Sequence, residues 1–351
     1  MRLFKCQFCD QILYFENRSC ISCGRRLGYL PERTDLFGME PASSGWRVPS
    51  LDDGEYWLCA NAEYDACNWL IPGNSANRFC LACRHNRTIP DLSDHLNLAR
   101  WRTLEAAKHR LFYALLRLQL RPQDRIDNPK VGLVFDFIDD PLDGARVLTG
   151  HDDGVITIAL REANAAERER ARLDLGEPYR TAIGHFRHEI GHYFWDQLVR
   201  DSDHIGEFRT LFGDESRDYN AALAAYYRTG APADWQNFFV SEYAASHPWE
   251  DFAETWAHYL HIVDTLETAA AYGICIRRLL AESESMAFGL DCDPYANVDT
   301  QKLIDAWIPL SFAVNSINRS MGHLDLYPFV LSPSAVTKLD FVNRLVHSIP
   351  K

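Results

Sequence analysis

The chain has 351 residues, 47% of them hydrophobic and 24% charged, which is enough apolar material for a real core and excludes wholesale disorder. Thirty-six Lys and Arg stand against 49 Asp and Glu, and the resulting net charge of −13 repels a phosphate backbone, so nucleic acid is not an expected partner. No apolar run reaches the roughly 18–20 residues of a membrane span, and Met1-Arg2-Leu3-Phe4-Lys5-Cys6 lacks the apolar centre of an export signal; the expectation is a cytoplasmic protein with no membrane partner.

Eight of the ten cysteines lie before residue 84, and without an export signal such clustering points to metal rather than to disulfides. Cys6, Cys9, Cys20 and Cys23 form C-x2-C, ten residues, C-x2-C. Each pair lets two thiolates reach one ion from a tight turn, and two pairs complete the tetrahedron that Zn2+ takes in closed structural sites. Cys59, Cys67, Cys80 and Cys83 form a less regular quartet, C-x7-C, twelve residues, C-x2-C, in which His85 could replace one thiolate. Both sites are coordinatively full, so their expected role is to fold a zinc-ribbon domain of short strands and turns over 1–95. Arg18, Arg25, Arg26, Arg78, Arg84 and Arg87 scatter positive charge there without making a dense basic run.

Past the ribbon the pattern turns helical. Leu98, Trp101, Leu104, Leu111, Leu115 and Leu118 recur at helical spacings and predict one long amphipathic helix over 96–120, ended by Pro122. β-branched and aromatic runs at 131–138 and 154–160 predict strands. The charged stretch 162–172 reads as a solvated helix face or connector. Helices are then predicted over 178–200, 219–228, 249–265, 266–282, 301–321 and 334–348. The fold class is α+β, a zinc-ribbon domain (1–95) followed by a mainly helical domain with a small β-sheet (96–351).

The chemistry sits in the 178–200 helix as His188-Glu189-Ile190-Gly191-His192. Two His at i and i+4 share one helix face about 6 Å apart and can hold one Zn2+. Glu189 stands beside them, placed to take a proton from metal-bound water. Gly184 and Gly191 cost helix propensity, which points to close packing of a strand or ligand against them. A catalytic zinc needs a third protein ligand and an open fourth position. Trp195 and Leu198 occupy the positions where the metzincin continuation requires Gly and His, which excludes that subclass. Downstream, Glu250 and Glu254 share a helix face at i, i+4, with Pro248 suited to the first turn. One carboxylate can ligate zinc while the other accepts the free N–H of a ligating His. Glu250 is the leading third ligand; Glu254, His258 and His261 are its rivals.

The ribbon cysteines followed by Arg187-His-Glu-Ile-Gly-His-Tyr193 and Trp249-Glu-Asp-Phe-Ala-Glu254 resemble the bacterial zinc-binding metallopeptidases with an N-terminal zinc ribbon, over nearly the whole chain. The second-helix pattern is also similar to gluzincins of the anthrax lethal factor type, whose ligand Glu opens an E-x-x-x-E-like helix. In those enzymes a Tyr seven residues before the ligand Glu stabilises the oxyanion. That position here is Tyr243, and the match favours Glu250 over Glu254.

The resulting expectation is a gluzincin-like zinc metallopeptidase that hydrolyses peptide bonds. His188, His192 and Glu250 would hold the catalytic zinc, Glu189 would activate zinc-bound water as base and then act as acid, and Tyr243 would donate to the tetrahedral intermediate. Glu254 would orient a ligand His, and two structural zinc ions would fill the cysteine quartets. The partner is a peptide or protein substrate, with the ribbon available for protein docking. The alternative is a non-catalytic zinc-binding interaction or regulatory module, in which a fourth protein ligand such as His185 or His258 closes the site.

Overall fold

Residues 1–51, 54–141, 143–175, 180–276, 289 and 292–348 are described by a computed structural model. Their backbone groups into two compact units, 1–173 with 181–186, and 174–180 with 187–351.

The first unit begins with a two-stranded hairpin, β1 (Phe4–Lys5) and β2 (Ile12–Leu13), whose connection carries Cys6 and Cys9. A five-stranded antiparallel sheet follows in sequence order, β3 (Arg26–Leu30), β4 (Asp35–Pro41), β5 (Trp46–Arg47), β6 (Glu55–Leu58) and β7 (Leu70–Pro72). Leu30, Phe37, Met39, Val48, Tyr56 and Leu70 make its core. A Cβ at Gly28 would stand 2.6 Å from the Leu70 side chain, so the apolar filling of this small sheet depends on a residue without one.

Helix α1 (His95–Arg117) starts where Asp94 accepts the backbone N–H groups of Leu96 and Asn97. Its apolar stripe buries Trp101, Leu104, Leu111 and Leu115, as the spacing predicts. Tyr113 joins Phe15, Tyr29 and Trp69 in an aromatic cluster with ring centroids 4.8–6.4 Å apart. A second sheet contains β8 (Asn86–Thr88), β9 (Val134–Ile138), β10 (Gly150–Asp152) and β11 (Val155–Ala159), in the order β10-β11-β9-β8. The two predicted strands are its central parallel pair, β9 and β11. Strand β8 comes from the segment read as ribbon and pairs in parallel with β9, so a cut at residue 95 would separate two strands of one sheet. Helix α2 (Ala165–Leu175) takes up most of the charged stretch after it.

Helix α3 (Ala182–Leu198) carries the His188–His192 motif. Phe186 in its first turn packs on Phe135 at 5.7 Å and Phe137 at 6.3 Å, within the first unit. The remainder of α3 belongs to the second unit, with α4 (Ile205–Phe212), α5 (Tyr219–Thr229), α6 (Pro248–Ala271), α7 (Thr300–Ser320) and α8 (Pro333–His347). Stacked and edge-on rings of Phe194, Phe208, Phe212, Phe252, Trp256 and Phe341 form its core. The sequence pattern predicts no helix at α4, whose eight residues are short for periodicity to register, but Phe208 and Phe212 are both buried.

Helix α6 is one element where the pattern predicts two. No Gly or Pro falls between Trp249 and Tyr272, and Leu260, Val263, Leu266 and Ala269 continue a single buried stripe to the end. Gly273, at φ +63°, then stops it. The second predicted helix runs on to 282, but from 277 it lies outside the described residues. Among the described residues no helix is long and apolar enough to cross a membrane.

Candidate metal centre

Helices α3 and α6 meet backbone to backbone at Gly191. A Cβ there would lie 3.0 Å from Ala253 Cα and 3.2 Å from Trp256 Cβ. The close neighbour of this glycine is therefore a helix, neither a strand nor a ligand, and the missing side chain is what lets Glu250 and Glu254 reach the histidines. The start of α6 is fixed by Pro248 and by His247, whose Nδ1 accepts the Trp249 backbone N–H at 3.1 Å. His247 is an unusual cap, and nothing in the spacing of the sequence signals it.

His188 Nε2 lies 3.0 Å from Glu250 Oε2, and His192 Nε2 lies 3.5 Å from the same oxygen. Donors bound to one ion at about 2.0–2.1 Å and tetrahedral angles stand about 3.4 Å apart, so the three atoms fit a zinc site. His188, His192 and Glu250 form one group whose ligand atoms all lie within 4.8 Å, and among the described residues it has three members. Glu250 is 1% exposed. His188 donates from Nδ1 to Glu254 Oε1 at 2.7 Å, and Ser241 donates to Glu254 Oε2 at 2.6 Å. That arrangement fixes the imidazole with Nε2 aimed at the shared position.

Charge follows the same geometry. Burial opposes a charge on His188, yet the hydrogen bonds and charges of Glu250 and Glu254 raise its pKa well above the ordinary histidine value. Burial pushes Glu250 up, but the charges and hydrogen bonds of His192 and His188 hold it well below the carboxylate range. For Glu254 burial is likewise outweighed, chiefly by the His188 hydrogen bond, and its pKa is held down to about 2. Both carboxylates are anions at neutral pH, as a cation site requires.

The sequence reading missed Tyr219. It lies on α5, 31 residues before Glu250, and its hydroxyl donates to Glu250 Oε1 at 2.6 Å, so the two carboxylate oxygens have different partners. Tyr243 sits in the short turn before α6, with its ring 6.0 Å from that of His188. Burial, then the nearby charge of Glu250, raises both phenols, so each keeps its proton as a donor. Trp249 covers His192, ring centroid to ring centroid 3.8 Å. Glu189 is 7% exposed.

The rival histidines are engaged elsewhere. His185 faces Glu162 at 3.2 Å. His258 Nδ1 lies 2.6 Å from the Tyr327 hydroxyl, and burial lowers its pKa to about 4. His261 contacts Arg187, which is ion-paired with buried Asp264.

Both cysteine quartets converge as well. Two sulfurs at about 2.3 Å from one zinc stand about 3.8 Å apart; here Cys6 and Cys23 are 3.7 Å apart, Cys9 and Cys20 3.5 Å, and Cys67 and Cys80 3.7 Å. The irregular C-x7-C gap is taken up by a short 3-10 turn at Ala60–Tyr64, closed by Asp65 at φ +56°. His85 does not replace a thiolate, because its Nδ1 is 2.8 Å from the Leu133 carbonyl oxygen and it is absent from the sulfur group.

Comparison with known proteins agrees with these clusters. A zinc-ribbon domain model matches residues 3–94, and a family described as "Putative zinc-binding metallo-peptidase" matches residues 97–345. Proteins of Mycobacterium bovis and Mycobacterium tuberculosis, named only as uncharacterized, are 41% identical over 350 residues, covering 99% of this chain and 96% of their own. No solved structure matches. With a matched segment that exceeds half of its length and contains the His188, His192 and Glu250 cluster, the chain belongs to that zinc-binding metallo-peptidase family and carries a zinc ribbon before it.

Proposed function

We propose that this chain is a gluzincin-like zinc peptidase, with one catalytic zinc at His188, His192 and Glu250 and one structural zinc in each cysteine quartet. The observation that carries the reading is the clamp on His188, whose Nδ1 is held by Glu254 while Nε2 shares Glu250 Oε2 with His192. A closed structural site would need a fourth protein ligand, and the group among the described residues has three.

When bound, zinc would polarise the scissile carbonyl and lower the pKa of a water molecule toward neutrality. Glu189, next to His188 on α3, is the residue that would hold a proton as base and then pass it on as acid. Its nearby charge, after burial and the charge of Glu250, is among the influences that raise the Tyr219 and Tyr243 phenols, which supports this role. Tyr243 donates to the oxyanion, while Tyr219 keeps Glu250 oriented through Oε1. Tryptophans 46 and 57 with Arg26 and Arg78 line a ribbon cleft of about 570 Å³, which supports the docking of a protein substrate there.

Glu189→Gln tests the chemistry. It preserves size and hydrogen bonding, so zinc content and melting temperature stay at wild-type values, while hydrolysis of a peptide library falls by about 10²–10⁴-fold. Unchanged hydrolysis would assign the activity to another site.

A further inference from the structure

Ser241 reaches the metal centre from a stretch that regular structure does not hold. Residues 239–242 are neither helix nor strand. Ser241 is nevertheless 5% exposed, donates to Glu254 Oε2 at 2.6 Å and accepts the Ala244 backbone N–H at 3.2 Å. Without a helix or a strand ladder to fix the backbone here, the place of that hydroxyl depends on what anchors the stretch from outside.

The anchor is a buried lysine. Lys338, on α8 and 100 residues beyond Phe238, is 4% exposed. Its Nζ donates to the backbone carbonyl oxygen of Phe238 at 2.8 Å and to Asp251 Oδ2 at 2.6 Å. Asp251 is fully buried and follows Glu250 directly in the first turn of α6. The ammonium also lies 4.4 Å from the centre of the Phe239 ring and 5.5 Å from that of Phe212. Val240 and Ala244, on either side of Ser241, pack with Ala335 of α8 in one buried cluster. The stretch therefore rests on α8 both before and after the serine.

Stability alone does not account for this lysine. Taking an ammonium and a carboxylate out of water offsets most of their attraction, and apolar residues of similar volume often fill a core as well. What apolar residues lack is direction. Lys338 ties a loop carbonyl and the start of α6 to one nitrogen, and α6 is the helix that carries Glu250 and Glu254. From that tie the contacts run through Ser241 to Glu254 Oε2, and from Glu254 Oε1 to His188 Nδ1.

We propose that Lys338 is a positioning residue for the His188 centre: by clasping the Phe238 carbonyl to Asp251 it holds Ser241 against Glu254, and through Glu254 it holds the His188 imidazole. It acts through those residues and not on the ion itself. The proposal rests on the His188 group binding zinc and is independent of peptide hydrolysis.

The test uses the full chain with Lys338→Met, which keeps an unbranched apolar stem and removes the donors, with Ser241→Ala, and with both together. Zinc content is followed by mass spectrometry across chelator-buffered zinc concentrations, and the two ions of the cysteine quartets serve as an internal reference. Lys338→Met should weaken zinc binding at the His188 centre by about tenfold, the lower end of the range for a partner that orients a ligand. Ser241→Ala should weaken it by a similar factor. The double variant should be no worse than the weaker-binding single one, because both substitutions remove the same support. A purely structural lysine would lower the melting temperature with zinc affinity unmoved, or the two losses would multiply; either result overturns the proposal. If Lys338→Met does not fold, Lys338→Met/Asp251→Asn, which buries no unpaired charge, takes its place in the same cycle under the same criteria. A wild-type chain that holds zinc in the quartets alone would overturn the metal-centre reading and this proposal together. Three ions in wild type with unchanged affinity in Lys338→Met would overturn this proposal alone.

Discussion

Replacing Glu250 with alanine removes the oxygen that lies 3.0 Å from His188 Nε2 and 3.5 Å from His192 Nε2. Two imidazoles remain, which is too few for a zinc site that competes with buffer ligands. Zinc in the purified full chain should fall from three ions to two and stay there at submicromolar free zinc. Glu254→Ala acts differently, because all three ligand atoms survive. What disappears is the acceptor for His188 Nδ1 at 2.7 Å and for Ser241 Oγ at 2.6 Å. Losing a partner that orients a ligand costs about 10–100-fold in metal affinity, equivalent to about 1.4–2.7 kcal/mol. Leaving the His188 Nδ1 donor unsatisfied, at about 1–3 kcal/mol, accounts for a loss of that size on its own. Glu254→Gln should lose less, since the amide oxygen still accepts from His188. Mass-spectrometric zinc content across a series of chelator-buffered zinc concentrations separates the cases. Equal loss in Glu250→Ala and Glu254→Ala, or the reverse order, would refute the assignment of roles.

Tyr219→Phe removes the hydroxyl that donates to Glu250 Oε1, so affinity of the His188 site should drop by about tenfold, near 1–1.5 kcal/mol; unchanged affinity in the chelator assay would show that the phenol does not hold the carboxylate. Gly191→Ala forces a methyl to within 3.0 Å of Ala253 Cα, and overpacking of this kind should cost about 1–3 kcal/mol, read as a lower denaturant midpoint. A variant as stable as wild type would mean that the two helices are further apart. The raised pKa of His188 sets the sign of the pH dependence. Below that pKa a proton must leave before Nε2 can bind metal, so apparent zinc affinity should climb with pH, by about tenfold per unit for each proton displaced, and level off above it. Competition titrations that come out flat, or fall with pH, contradict this.

What the sequence made legible was whatever repeats at short range. The i, i+4 pairs His188/His192 and Glu250/Glu254 are each carried by one helix, so spacing alone puts their side chains on a common face. The first cysteine quartet is similarly local. Residues brought in by tertiary packing left no such trace. Tyr219 comes from a helix with no fully buried residue and Ser241 from the loop before α6. The signal available for Tyr219 was compositional, an aromatic at the N-terminal end of the Tyr219–Thr229 helix after the capping residue Asp218. Pairing of β8 with β9 was hidden for the same reason, since three residues of a parallel edge strand carry too little periodicity to be recognised.

The most direct test of the peptidase reading is a crystal structure of the zinc-loaded full chain, with anomalous scattering measured at the zinc edge. The account predicts three zinc peaks, two within the cysteine quartets and one within about 2.0–2.2 Å of His188 Nε2, His192 Nε2 and Glu250 Oε2, with its fourth position facing solvent. A fourth protein ligand on that ion, or an empty His188 centre while both quartets are filled, would contradict it and leave the protein a zinc-stabilised binding module.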